Sequence, residues 1–106
     1  MNSAKKKRLE AAGFKVGSAT ELLQLSAHES ALVNMRLSLA KAVRRRRLAQ
    51  HVSQQDLACL IGSSQSRVAK LESGGKGITI DLMVRAMLAT GAEPREVGRV
   101  LATAGR

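Results

Sequence analysis

The stretch Ser53–Ser73, SQQDLACLIGSSQSRVAKLES, holds two short helical patterns joined at a glycine. Ser53 is placed to cap the first, with the acidic Asp56 at the third helical position, close to a capping box. Leu57, Ala58 and Ile61 then fall on one side. Gly62 follows at once, the residue best able to take the left-handed conformation that ends a helix and turns the chain sharply. Ser64 is the natural cap of the second helix, in which Val68 and Leu71 lie one turn apart while Gln65, Ser66, Ala69 and Lys70 share the opposite side. The predicted unit is a helix, a tight turn, and a second helix whose outer face is small, polar and basic.

The run Gln54-Gln55-Asp56-Leu57-Ala58, then Gly62, then Ser64-Gln65-Ser66-Arg67-Val68-Ala69-Lys70-Leu71-Glu72, resembles the helix-turn-helix of the lambda/Cro-like (XRE) repressors. The shared features are a small residue early in the first helix, Gly at the turn, a β-branched residue within the second helix and a terminal Leu-Glu. Ser63 departs from the pattern, since the residue after the turn glycine is often apolar in that family; the departure weakens packing slightly. The resemblance extends more loosely from about Leu32 to about Ala104. It implies an all-α, five-helix lambda-repressor-like domain. The segment LEAAGFKVGSATELLQLS, residues 9–26, looks like the extension found in HigA-type antitoxins and related phage regulators.

At 106 residues the chain is long enough for one modest core of four or five helices. Eighteen Lys and Arg against eight Asp and Glu give a formal charge of +10, which favours a polyanionic partner and leaves nucleic acid and anionic membrane both open. No run approaches the roughly 20 apolar residues of a membrane span, and residues 1–7 lack the apolar core of a signal peptide. The expectation is a cytoplasmic protein of bacterial or phage origin with no membrane contact. Cys59 is the sole cysteine, and with only His28 and His51 there is no zinc set, so no metal and no cofactor are expected. Cys59 reads as a small packed residue. Phe14 is the one aromatic residue, which argues against single-strand and RNA binders that stack bases on aromatic platforms.

Along the chain, residues 1–25 read as an extension and residues 26–106 as the helix-turn-helix domain. Leu9–Ala12 suggests a short helix, Phe14-Lys15-Val16 a small extended segment, and Ser18 the cap of a short helix over Ala19–Leu25. Ser26 and Glu29 form a capping-box pattern from which a long helix runs to about Ala49, with Leu32, Met35, Leu39 and Val43 on one stripe. Arg44–Arg47 crowd its C-terminal end, with no acid between Ser30 and Gln55. Cations at a helix C-terminus are favourable, but four in succession exceed what the helix dipole requires. Thr79 caps a helix over Ile80–Thr90, apolar nearly all round except for Arg85. Gly91 ends it, and Pro94 opens a last helix whose Val97, Val100, Leu101 and Ala104 form a stripe that closes the core or supplies a dimer seam.

These readings assign roles. A sequence-specific regulator of double-stranded DNA would insert residues 64–72 in the major groove. Gln65 is the first choice for base contact, because a glutamine amide makes two hydrogen bonds to adenine; Ser66 and Lys70 come next. For the DNA backbone the candidates are Gln54, by resemblance the family's phosphate contact, with Ser64, Arg67, Arg44, Arg45 and Lys76. Arg67, Arg44 and Arg45 read equally as solvated surface charge. Lys76 lies in the loop Ser73–Gly77, which reads either as a backbone contact or as a plain linker. The resemblance also implies a structural pair between Arg47 and Glu72. Two-fold pairing on a palindromic operator is expected, with the seam on Leu22, Leu23 and Leu25 or on Val97, Val100 and Leu101. The alternative function is that of a HigA-like antitoxin neutralising a RelE-like toxin and autoregulating its operon. An enzyme is disfavoured, because no nucleophile–base set appears.

Overall fold

In the computed structural model the residues described are 19–104, with side chains from Ser26 onward. They form five helices, and no strand occurs among them: α1 Ala19–Ala49, α2 Gln54–Ile61, α3 Gln65–Glu72, α4 Ile80–Ala89 and α5 Pro94–Ala102. The fold is all-α, as the sequence predicts. The chain divides into two compact units, residues 1–31 and 32–106, and the second carries the core. The expected helix at Leu9–Ala12 and the extended segment Phe14–Val16 lie outside the described residues.

Helix α1 corrects the sequence reading. A separate helix over Ala19–Leu25 and a fresh start at Ser26 are expected, yet one helix runs through both. A capping box is worth only about 1 kcal/mol, and it acts where the chain has already left the helix. No Gly or Pro interrupts Ala19–Ala49, so nothing forces that exit, whereas starting again would incur a second nucleation cost.

The remaining boundaries follow their caps. The Ser53 hydroxyl accepts from the Asp56 N–H at 3.0 Å, Ser64 from Arg67 at 3.2 Å, and Thr79 from Leu82 at 3.1 Å. Gly62, at φ 67°, closes α2, and the next N–H, of Ser63, donates back to the Ala58 carbonyl at 2.9 Å. That pair of features is the left-handed C-cap with its long return bond, and it turns the chain directly into α3. Pro94 occupies the first turn of α5, where its missing N–H costs nothing.

The core draws on every helix. Leu39 and Val43 of α1, Leu57 of α2, Val68 and Leu71 of α3, and Met83 and Met87 of α4 are fully buried, with Val97 of α5 closing the cluster. Burying each such side chain contributes roughly 1.5–3 kcal/mol before entropy is counted. Three apolar expectations fail at the edges. Leu32 is 44% exposed although it shares the stripe of Leu39 and Val43, and Leu88 makes α4 less uniformly buried than its sequence suggests. Cys59 is exposed rather than packed; Leu57, Ala58 and Ile61 define the buried side of α2, and Cys59 falls off it. Val100 and Leu101 pack partly against the core, so the last helix spends much of its apolar stripe inside this unit.

Candidate nucleic-acid interface

Helix α3 stands with Val68 and Leu71 buried and Gln65, Ser66, Arg67 and Lys70 exposed. Its amphipathic pattern produces this orientation: two apolar residues one turn apart bind it to the core, Gln65, Arg67 and Lys70 point out, and Glu72 at its end turns inward. The Ser64 and Ser66 hydroxyls lie 3.3 Å apart at its first turn. The outer face carries no large apolar side chain, and its long residues, Gln65, Arg67 and Lys70, are polar or cationic.

Behind the helix lies a continuous polar chain. Arg47, near the end of α1, donates from Nε to Glu72 Oε2 at 2.6 Å and from Nη2 to Glu72 Oε1 at 2.9 Å. Its Nη1 donates to the Val52 carbonyl at 2.9 Å. Glu72 Oε1 also accepts from Gln54 Nε2 at 3.1 Å, and Gln54 Oε1 accepts from Gln65 Nε2 at 2.6 Å. The path therefore leads from a pair whose side chains are 8% and 3% exposed to the exposed first residue of α3. The Arg47 guanidinium is held above its ordinary pKa, first by its hydrogen bonds to Glu72 and further by that carboxylate's charge, while burial works against both.

Among the described residues the chain engages only part of the Gln65 amide. A glutamine amide carries two N–H donors and a carbonyl acceptor. Gln54 engages one donor, so one N–H and the oxygen remain, the combination that pairs with adenine N7 and N6. Gln54 faces inward to Glu72 and outward to Gln65, and thus sets the orientation of the side chain beside it.

The four arginines separate. Arg44 is 57% exposed and its Nη1 lies 3.9 Å from Glu72, on the side of α3. Arg45 points elsewhere, lining a hollow with Met87, Glu96 and Val100. The two residues the sequence groups together as backbone contacts therefore lie on different sides of α1. A turn of 100° per residue sends neighbours in a run to different partners.

Two arginines have functions that the sequence reading did not assign. Arg46 donates from Nε to Thr90 Oγ1 at 3.0 Å, from Nη2 to the Thr90 carbonyl at 2.9 Å and from Nη1 to Glu96 Oε2 at 2.8 Å, joining α1 to the end of α4 and to α5. Arg36 donates to the carbonyls of Gly75 and Ile78. Their signal was spacing: 36, 40, 43 and 47 fall on one stripe, and 39, 43 and 46 on its neighbour, so both arginines sit in register with buried apolar residues. Lys76 is exposed in the loop between α3 and α4.

Among the described residues no group of His, Cys, Asp and Glu has the clustering that holds a metal ion, and no helix is long and apolar enough to cross a membrane. Two short helices set by a left-handed glycine, the second capped by serine and polar on its outer face, define a DNA-binding helix-turn-helix. The family model described as Helix-turn-helix matches residues 43–97, more than half of the chain, and the chain belongs to this family, in its lambda/Cro-like (XRE) type. No curated protein and no solved structure matches the chain. The protein is a DNA-binding regulator of the XRE type.

Proposed function

We propose that this protein is a sequence-specific repressor that places α3 in the major groove and reads bases with Gln65, Ser66 and Lys70. The observation that carries the reading is the Gln65–Gln54 hydrogen bond, which fixes an exposed amide at the leading end of α3 while leaving a donor and an acceptor open. Backbone contact comes from Ser64 and Arg67 at α3, from Arg44 beside it, and from Lys76 in the following loop. Gln54 contributes by holding Gln65 and by offering its remaining N–H to phosphate.

One α3 helix reads only a few base pairs, too few to select a site among the roughly 10⁶–10⁹ competitors of a genome. Two copies on a palindromic operator, with recognition helices about 34 Å apart, supply the rest. The N-terminal leucines Leu22, Leu23 and Leu25 are the favoured seam, because Val97 is buried within one copy and Val100 and Leu101 are partly spent there too. The test is selection of bound duplexes from a random pool by the purified full chain. An enriched palindrome with half-sites one helical turn apart is expected. Binding with no enriched motif would remove the sequence-specific reading, and an enriched single half-site would remove the dimer.

A further inference from the structure

We infer that Arg36 positions Lys76 for phosphate contact by clamping both ends of the turn on which Lys76 sits; the inference rests on the DNA-binding reading above. The Ile78 N–H donates to the Gly75 carbonyl at 2.9 Å, closing a four-residue turn, Gly75-Lys76-Gly77-Ile78. Gly77, its third residue, has φ 78°, the positive value that a type II turn demands there. Lys76 occupies the second place, exposed at the tip.

Arg36 Nη1 donates to the Gly75 carbonyl at 3.0 Å and also to the Ile78 carbonyl. One guanidinium nitrogen thus holds the first and last residues of the turn, from a helix 39 positions earlier in sequence. Gly74, Gly75 and Gly77 give this loop unusual conformational freedom, and ordering it only on DNA would tax affinity. Other contacts seat the same turn. Gly75 N–H donates to the Lys70 carbonyl at 3.1 Å, tying the turn to the end of α3. A Cβ added at Gly75 would come within 2.7 Å of Met83 Cε, so this backbone lies against a buried side chain. Ile78 is itself 2% exposed. The clamp therefore delivers a pinned lysine next to the recognition helix, with its ordering cost already met in the free protein. Arg36 acts through Lys76 and is a positioning residue.

The test compares the wild type, Arg36→Met, Arg36→Lys and Lys76→Ala, together with the double variants Arg36→Met/Lys76→Ala and Arg36→Lys/Lys76→Ala, on a random-sequence duplex across a salt series. Amide hydrogen exchange is followed in the free proteins. Lys76→Ala should lower affinity on the order of tenfold at 0.1 M salt and reduce the log–log salt slope by about one. In the Arg36→Met background the same change should alter affinity less than about twofold, because the lysine is no longer held in place. The Ile78 amide should exchange faster in Arg36→Met while the amides of α2 and α3 keep their protection. Arg36→Lys keeps the charge but loses the planar fork, and should fall between the two; it carries the comparison if Arg36→Met does not fold. A full tenfold Lys76 effect in the Arg36→Met or Arg36→Lys background, or unchanged Ile78 exchange, would overturn the clamp. Wild-type protein that binds no duplex at all would instead overturn the DNA-binding reading.

Discussion

Arg47 and Glu72, 25 residues apart in sequence, meet as a two-pronged ion pair with N–O distances of 2.6 and 2.9 Å, and both side chains are almost wholly buried. The geometry suits a planar guanidinium facing a carboxylate, and it fastens the end of α1 to the last residue of α3. Any tilt of α3 against α1 must strain or break this pair.

Removing either partner alone leaves a buried charge without its counterpart, so Arg47→Met or Glu72→Gln should each destabilise by about 3–5 kcal/mol. The double variant should cost clearly less than the sum. Denaturant unfolding of the four proteins measures the coupling, and additivity within about 0.5 kcal/mol would show there is none. The pH dependence has a definite sign. A cation whose pKa is raised by folding contributes stability that is complete below its ordinary value and is lost only as pH rises through the raised one. Arg47 should therefore give a flat contribution through neutral pH and a loss only in strong alkali.

Gln65→Ala should weaken binding to the selected operator by roughly 1–3 kcal/mol and leave random-duplex affinity nearly intact. Gln54→Ala removes the group that orients Gln65, so the two losses should not add. Equal losses on operator and random DNA would take Gln65 out of the base-reading set. Additive losses for the pair would mean that the Gln54–Gln65 bond has no part in recognition.

Arg44 and Arg45 offer a contrast within one helix. Arg44→Ala should reduce the log–log salt slope of duplex binding by about one, the loss of a single phosphate contact. Arg45→Ala, on the α5 side, should leave the slope unchanged. Equal effects of the two substitutions would mean that the run acts through its total charge and that the separation of the two side chains has no consequence for DNA.

Ser63 is the residue after the turn glycine, where the family often has an apolar side chain, and its hydroxyl oxygen is buried with no hydrogen-bond partner among the described residues. A buried unpaired hydroxyl carries a desolvation penalty of about 1–3 kcal/mol. Ser63→Ala should therefore raise stability, by on the order of 1 kcal/mol, read as an increase of about 4–8 °C in Tm. A fall in Tm would show that the hydroxyl contributes packing that a methyl group cannot replace.

What the sequence determined by itself were the features set within a few residues of chain. The α2–Gly62–α3 unit was legible because its caps, its left-handed glycine and its apolar spacing are local, and each independently specifies the same boundary. The polar face of α3 was legible because Val68 and Leu71 leave it no other orientation. The second half of the chain was legible for the same reason at Thr79, Gly91 and Pro94. Tertiary structure decided what depends on distance through space. The capping pattern at Ser26 carries no information on whether the preceding helix has ended, and the continuous α1 overrode it. Four consecutive arginines look alike in sequence, yet Glu72 of α3 draws Arg47 and lies near Arg44, whereas Thr90 at the end of α4 and Glu96 of α5 hold Arg46. The grip of Arg36 on Gly75 and Ile78 was likewise invisible in sequence, because main-chain carbonyls are present at every residue and only folding selects which two a guanidinium can reach.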